Sequence, residues 1–198
     1  MEGRPQLNQR LSKVLGSPFA NGNVLFHEDK VLSPVGNRLT IYDLKEQSVS
    51  TLPIETRKNI RRCCMSHNGK FAVLTDVDGH SVIVSLVSKS ILQRFNFRRK
   101  IYDIKFSPDD RSFAVTHGHG VQLWRTPNIR KEFQGLILLR KIAGHYDDTT
   151  CLDWSKDSNM IVMGSKDLTA RVYYRVHSRN MSKTTLTGHR DIIVGSYF

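Results

Sequence analysis

The chain has 198 residues, of which 39% are apolar and 24% are charged, and its formal net charge is +12. This is the composition of a packed globular protein, and it excludes disorder over the bulk of the chain. The longest apolar runs fall far short of the roughly 20 residues that a membrane-spanning helix needs. The excess of Lys and Arg favours a polyanionic neighbour without identifying it.

The three cysteines carry little sign of a disulfide or a zinc site. Cys63 and Cys64 are adjacent, Cys151 is far away in sequence, and no C-x-x-C spacing occurs. An odd count with this spacing predicts neither a disulfide framework nor a zinc site built from paired cysteines. A reducing compartment, cytosol or nucleus, fits these cysteines best.

An internal repeat is the most informative feature. A short alternating apolar run precedes a polar turn four times, and the turn residues His27, Ser66, Ser107 and Ser155 follow one another at intervals of 39, 41 and 48 residues. The first runs of the units are Val24–Asp29, Ile60–Met65, Ile101–Phe106 and Thr149–Trp154. Runs of this length between Gly, Asp and Asn turns predict β-strands rather than helices.

Three further runs follow each first run, separated by tight turns. The second runs are Lys30–Leu32, Phe71–Leu74, Phe113–Val115 and Ile161–Met163; the third are Ile41–Asp43, Ile83–Ser85, Leu123–Arg125 and Val172–Tyr174; the fourth are Ser48–Leu52, Ile91–Phe97, Leu136–Leu139 and Thr184–Leu186. Four short strands in each unit of about 40–45 residues are typical of a β-propeller blade.

Two local signatures make the chain resemble the WD40 family. Gly144-His145 and Gly188-His189 stand 44 residues apart, and Tyr42-Asp43 occupies the place of a WD dipeptide. The resemblance implies an all-β, incomplete WD40-type propeller of about four blades plus the start of a fifth. We expect a poorly ordered N-terminal arm at 1–14 and a partial propeller over 15–198. Its repeats are predicted at 21–58, 59–99, 100–148 and 149–191, with a truncated fifth at 192–198.

The WD40 resemblance also implies a structural hydrogen-bond chain in the fourth unit. In that pattern a His, a Ser or Thr, an Asp and a terminal aromatic residue are linked, because a buried carboxylate needs such partners. The matching residues here are His145, Ser165, Asp167 and Tyr173. The first three units lack Gly-His, so we expect them to depend on apolar packing between blades.

Complete catalytic or cofactor motifs are absent from the sequence. Gly69-Lys70 lacks the flanking residues of a P-loop, and the pair Asp109 and Asp110 stands at a turn where Asp caps its own backbone. His117 and His119 share one turn, which without nearby Cys or Asp favours solvated side chains over a metal site. We therefore predict no catalytic, cofactor-binding or metal residues and no small-molecule substrate. The rival, a propeller enzyme with a site in the central channel, would need carboxylates or histidines where the first strands carry Cys63, Ile104 and Cys151.

Basic clusters are the candidate contacts for RNA or for a protein partner. The first cluster is Arg57, Lys58, Arg61 and Arg62, and the second is Arg98, Arg99 and Lys100. Both lie at equivalent connections between units, so they are predicted to share one rim. No aromatic stacking platform accompanies them in the sequence, and a solvated surface is the alternative. The residues are Arg57, Lys58, Arg61, Arg62, Arg98, Arg99, Lys100, Arg130 and Lys131.

Particular stretches resemble one WD40 family more closely, that of periodic tryptophan protein 2. Among them are Ser33-Pro34-Val35-Gly36-Asn37-Arg38, Phe106-Ser107-Pro108-Asp109, Tyr146-Asp147-Asp148-Thr149-Thr150 and Gly164-Ser165-Lys166-Asp167. The resemblance runs from about Leu15 to Phe198 and matches the N-terminal region of that family.

This resemblance implies a non-catalytic scaffold of the nucleolar small-subunit processome, needed for pre-rRNA processing and small-subunit assembly. The partners it implies are other WD40 proteins of that particle, small nucleolar ribonucleoprotein and pre-ribosomal RNA, with no cofactor and no membrane. The implied location is the nucleolus within the nucleus. A generic WD40 adaptor in signalling or ubiquitin transfer is the alternative that the fold signal alone leaves open.

Overall fold

The computed structural model describes residues 22–127, 135–176 and 184–198, so the predicted arm at 1–14 lies outside the described residues. Every regular element in these ranges is a β-strand, and none of these residues forms a helix able to cross a membrane. The strands are β1 Leu25–His27, β2 Lys30–Val35, β3 Arg38–Asp43, β4 Ser48–Glu55, β5 Ile60–Met65, β6 Phe71–Asp76, β7 His80–Ser85, β8 Ser90–Asn96, β9 Ile104–Phe106, β10 Ser112–His117, β11 Gly120–Arg125, β12 Leu138–Ala143, β13 Thr149–Trp154, β14 Met160–Ser165, β15 Ala170–Tyr174 and β16 Thr184–Leu186.

The strands form four antiparallel sheets of four strands each, which we call blades 1 to 4. Each blade takes four consecutive strands in sequence order, β1–β4, β5–β8, β9–β12 and β13–β16. Adjacent blades pack face to face through apolar clusters, one between each successive pair. In the part of the chain that the structure describes, the four sheets are not closed into a ring, so the arrangement is an open arc. The predicted all-β, incomplete propeller is confirmed.

Burial changes across a blade in the way that the sequence patterns indicate. The second strand of blade 2, β6, is buried at every position because it lies between neighbouring blades, whereas the outer strand β8 alternates between exposed and half-buried. A strand covered on both faces becomes a continuous apolar run, and a strand with one wet face alternates.

The Ser-led turns have a common hydrogen-bond pattern. The hydroxyl oxygens of Ser66, Ser107 and Ser155 accept bonds from the backbone N–H groups of residues 71, 112 and 160, at 2.9, 3.2 and 2.8 Å. Each serine thereby ties the end of the first strand of a blade to the start of the second. This local chemistry explains why the serine recurs in the sequence.

Most strands differ from the predicted runs by a few residues at their ends, and three differences are informative. The strand β9 begins at Ile104 instead of Ile101, because the N–H groups of Tyr102 and Asp103 both donate to the Thr116 hydroxyl, each at 2.9 Å, and not to a neighbouring strand. The strand β12 begins at Leu138, two residues later than the predicted run. Residues 187–198 form no strand, although Ile193 is buried against Cys151.

Candidate functional site

One end of the blades gathers most of the predicted contact residues. We call it the upper face; it carries the connections between blades at 56–59, 97–103 and 144–148 and the turns at 77–79, 118–119 and 166–169. Backbone hydrogen bonds join the two sets: Phe97 N–H donates to Gly79 O at 3.0 Å and His145 N–H to His119 O at 3.2 Å. Antiparallel strands put the Ser-led turns at the opposite end, the lower face.

The basic residues of the first two clusters do share this upper face. Exposed cations stand on the connections, while Arg62 is half-buried at the start of β5 and its Nε donates to the Tyr102 carbonyl at 2.6 Å. Lys58 forms an ion pair with Asp78 of the next blade at 2.6 Å. Arg130 and Lys131 lie outside the described residues. The exposed set is Arg57, Lys58, Arg98, Arg99 and Lys100.

A cationic cluster surrounds the ring of Tyr102, and we call it the Tyr102 cluster. The charged groups of Arg61, Lys100 and Lys166 lie 5.5, 5.3 and 5.0 Å from the ring centroid. Lys166 Nζ donates to the Tyr102 hydroxyl and to Asp148 Oδ2, both at 3.2 Å, and the Tyr102 hydroxyl donates to Asp148 Oδ2 at 3.3 Å. The cluster therefore joins residues of blades 2, 3 and 4.

Several positive charges lie close together in this cluster. Burial and then the neighbouring guanidinium of Arg62 lower the pKa of Arg61. Nε of Arg61 is buried and has no hydrogen-bond partner among the residues that the structure describes. The hydrogen bonds to Tyr102 and to Asp148 raise the pKa of Lys166, which keeps that side chain charged.

The predicted chain in blade 4 is built around Asp167. The His145 side chain is fully buried, and its Nδ1 lies 3.0 Å from Asp167 Oδ2. Ser165 Oγ accepts a bond from the Asp167 N–H at 3.2 Å and donates to the Asp147 and Asp148 carbonyls. The structure thus brings three of the four predicted residues together.

Tyr173, the fourth predicted residue, makes a different contact. Its hydroxyl donates to the Ala143 carbonyl at 3.5 Å, and its buried ring packs between blades 3 and 4. In its place Thr169 joins Asp167: the Thr169 hydroxyl and N–H both donate to Asp167 Oδ1, at 2.7 and 3.0 Å. The Tyr146 N–H donates to the other carboxylate oxygen at 2.9 Å.

These contacts set the protonation of the pair. Burial lowers the pKa of His145 below its ordinary value and outweighs the nearby carboxylate, which raises it. Burial raises the pKa of Asp167, but the hydrogen bonds from Thr169, Tyr146 and His145 more than compensate, so the net pKa is well below its ordinary value. The pair is therefore an ionised Asp167 beside a neutral His145, a structural arrangement.

The first strands of the blades supply both apolar and charged residues. Cys63 and Ile104 are buried between blades, and Cys151 is buried against Ala170 and Ile193. Asp103, Lys105 and Cys151 line a cavity of about 280 Å³.

The inward carboxylates already have partners. Asp103 accepts backbone bonds from Leu152 and Ile104, and burial raises its pKa. The second inward carboxylate, Asp153, pairs with Lys105 at 2.8 Å. A carboxylate committed in this way ties neighbouring blades together.

One group of potential metal ligands lies on the upper face. A ligand atom from each of His119, Asp147 and Asp148 falls within 4.8 Å of the other two. Asp148 is already paired with Lys166, and the other two side chains are exposed.

Several contact residues were missed by the sequence patterns. Tyr102 is the aromatic residue that the basic clusters were thought to lack, and Lys166 belongs to the turn of another blade. Blade 2 also has its own buried acid: Asp76 accepts bonds from two backbone N–H groups of its turn, and His80 Nδ1 lies 3.6 Å from its Oδ2. An aromatic residue beside a basic run was the one available hint for Tyr102.

Comparison with known proteins decides the relationship. The family model described as WD domain, G-beta repeat, matches residues 137–173. The mouse protein named Periodic tryptophan protein 2 homolog is 40% identical over 191 residues, covering 96% of this chain and 21% of the mouse protein. The Saccharomyces cerevisiae protein Periodic tryptophan protein 2 is 38% identical over 194 residues, with coverage of 96% and 21%.

The chain is a WD40-repeat protein homologous to periodic tryptophan protein 2. It spans about one fifth of the length of these relatives, 21% in each case. A chain in a solved structure described as Crystal Structure of Mitotic Checkpoint Complex aligns with a TM-score of 0.75 and 16% identity, covering 98% of this chain and 62% of that chain. At that identity the likeness supports the propeller fold alone.

Proposed function

We propose that this protein is a non-catalytic scaffold of the nucleolar small-subunit processome, required for pre-rRNA processing and small ribosomal subunit assembly. The observation that carries the proposal is the match to periodic tryptophan protein 2 over 96% of the chain at 38–40% identity. The resemblance to the periodic tryptophan protein 2 family implies the processome role. Other WD40 proteins, small nucleolar ribonucleoprotein and pre-ribosomal RNA are the proposed neighbours.

The chemistry of the described residues supports a binding role. The buried acids Asp103, Asp76 and Asp167 all accept backbone hydrogen bonds, so each stabilises a turn or a blade seam. The surface is an arc of blades whose upper face carries exposed cations. A rigid surface with several loops can contact several partners at once, and weak contacts then add through effective concentration.

Depletion followed by measurement of both ribosomal RNAs tests this function. We expect loss of mature small-subunit RNA, accumulation of uncleaved precursor and near-normal large-subunit RNA, because a missing scaffold blocks assembly of one particle. Fluorescence microscopy of the tagged protein should place it in the nucleolus. Normal small-subunit RNA after complete depletion would reject the proposal and favour the adaptor alternative.

A further inference from the structure

We infer that the Tyr102 cluster on the upper face binds the phosphodiester backbone of single-stranded RNA. The choice of RNA rests on the proposed function, and the cationic character of the site rests on its geometry. Three features of the cluster carry the inference in turn: its charge, its hydrogen-bond donors and its ring.

The first step is the balance of charge around the ring. The charges of Arg61, Lys100 and Lys166 lie within 5.0–5.5 Å of one centroid. An aromatic face attracts cations through its quadrupole without neutralising them. Among the described residues Asp148 is the carboxylate that bonds within the cluster, through Lys166 and the Tyr102 hydroxyl, so the cluster holds one negative and three positive charges. The excess positive charge makes the cluster attractive to an anion.

The second step concerns unused donors. Arg61 has a buried Nε without a partner in the described part of the chain. Lys100 is exposed, and no hydrogen bond to its Nζ is found among the described residues. A phosphodiester has two unesterified oxygens that accept such bonds, and a guanidinium fork matches them. An anion here would satisfy donors and relieve repulsion together.

The third step distinguishes a nucleic acid from an acidic peptide. Exposed cations continue from the cluster along the upper face at Arg98 and Arg99, which suits a chain of charges more than a single ion. Tyr102 is only half-buried. A base of single-stranded RNA can stack on an aromatic side chain at the surface, whereas Asp and Glu side chains have nothing to stack. The combination of ring and cations favours RNA.

Binding of a fluorescein-labelled 12-nucleotide oligouridine tests the inference, measured by anisotropy from 50 to 200 mM salt. The site variant is Lys100→Gln with Lys166→Gln. The control is Lys70→Gln with Lys156→Gln, which removes the same charge from the lower face, where both lysines are exposed. We expect the site variant to bind at least 10-fold more weakly and its salt slope to fall by about 1.4, since each lost phosphate contact accounts for about 0.7. The control should change affinity by less than 2-fold.

Variants of the ring separate stacking from hydrogen bonding. We expect Tyr102→Leu to weaken binding by about 5-fold or more, the lower end of the effect of losing one stacked base. Tyr102→Phe loses only the hydroxyl contacts with Asp148 and Lys166, so it should stay within about 3-fold of the parent. Thermal melts within a few degrees of the parent identify the variants that are folded. If the ring variants unfold, the paired lysine variants still decide the question.

Three results would overturn the inference. Equal losses of affinity in the site and control variants would show that only the overall charge matters. Unchanged binding in the site variant would show that the Tyr102 cluster does not bind the RNA. Displacement of the oligouridine by polyglutamate at equal charge concentration would favour an acidic protein partner. None of these affects the depletion experiment, so a ribosomal RNA defect together with failed RNA binding would reject this inference and leave the proposed function standing.

Discussion

Replacing His145 by Ala tests the cluster that anchors blade 4. The imidazole is fully buried and its Nδ1 lies 3.0 Å from Asp167 Oδ2. Losing a hydrogen bond to a charged group costs about 1.5–3 kcal/mol. One feature limits that loss: Asp167 keeps three donors from Thr169 and Tyr146.

We therefore expect His145→Ala to lower the free energy of unfolding by about 1–3 kcal/mol. Equilibrium urea unfolding, followed by circular dichroism, measures it. The free energy of unfolding of a protein of this size falls by about 2 kcal/mol per M urea, so the urea concentration at the midpoint of unfolding should fall by about 0.5–1.5 M. The matched control is His119→Ala, an exposed histidine of the preceding blade, which should change stability by less than about 0.5 kcal/mol.

The comparison of these two variants has a clear failing result. If His145→Ala and His119→Ala unfold at the same urea concentration, the contact with Asp167 does not stabilise the blade. A change in the slope with urea, in addition to the midpoint, would show that the variant alters the unfolded or partly folded state and that the difference cannot be assigned to this contact.

Two further predictions concern the protonation of His145 and the contact of Asp110 with blade 2. Because burial lowers the pKa of His145, the unfolded chain takes up a proton below about pH 6.5 that the folded chain resists, so the free energy of unfolding should fall as the pH falls through that value. Subtracting the pH profile of His145→Ala should isolate this step, and parallel profiles between pH 5 and 7 would contradict the assignment. At the seam of blades 2 and 3, Asp110 accepts backbone bonds from His67 and Asn68 at 2.7 and 2.8 Å and has a positive φ of 54°. Asp110→Ala should lower the free energy of unfolding, measured in urea, by about 1–3 kcal/mol. Asp110→Asn should lower it less, because Asn tolerates this backbone conformation and keeps an acceptor. Equal losses for the two variants would refute that reasoning.

Local patterns were sufficient to predict the strands and blades. The runs of apolar residues, the Ser-led turns and the tight Gly or Asp turns act over fewer than ten residues, and each has a hydrogen-bond reason visible in the sequence, as at Ser66 and Phe71. The errors arose where a tertiary contact replaced a local one. Tyr102 and Asp103 leave the first strand of blade 3 because Thr116 takes their N–H groups.

The candidate site was only partly predictable, for the same reason. The sequence identified basic residues at equivalent connections, and His145 with Asp167, because both signals recur at fixed positions of a repeat. It interpreted Asp110 as a cap for its own turn, whereas the structure joins Asp110 to blade 2 across 43 residues.

The amino-acid order alone thus determined the fold class and the number of four-stranded blades in the described part of the chain. Only the packing of the blades decided which charges meet: Lys166 reaches Tyr102 across 64 residues, and Arg62 reaches the Tyr102 carbonyl across 40. No periodic pattern encodes such pairs, because each depends on the rotation between neighbouring blades and on the length of their connections. Hydrophobic periodicity specifies what a strand buries, while the meeting of polar side chains at a blade seam is a property of the assembled arc.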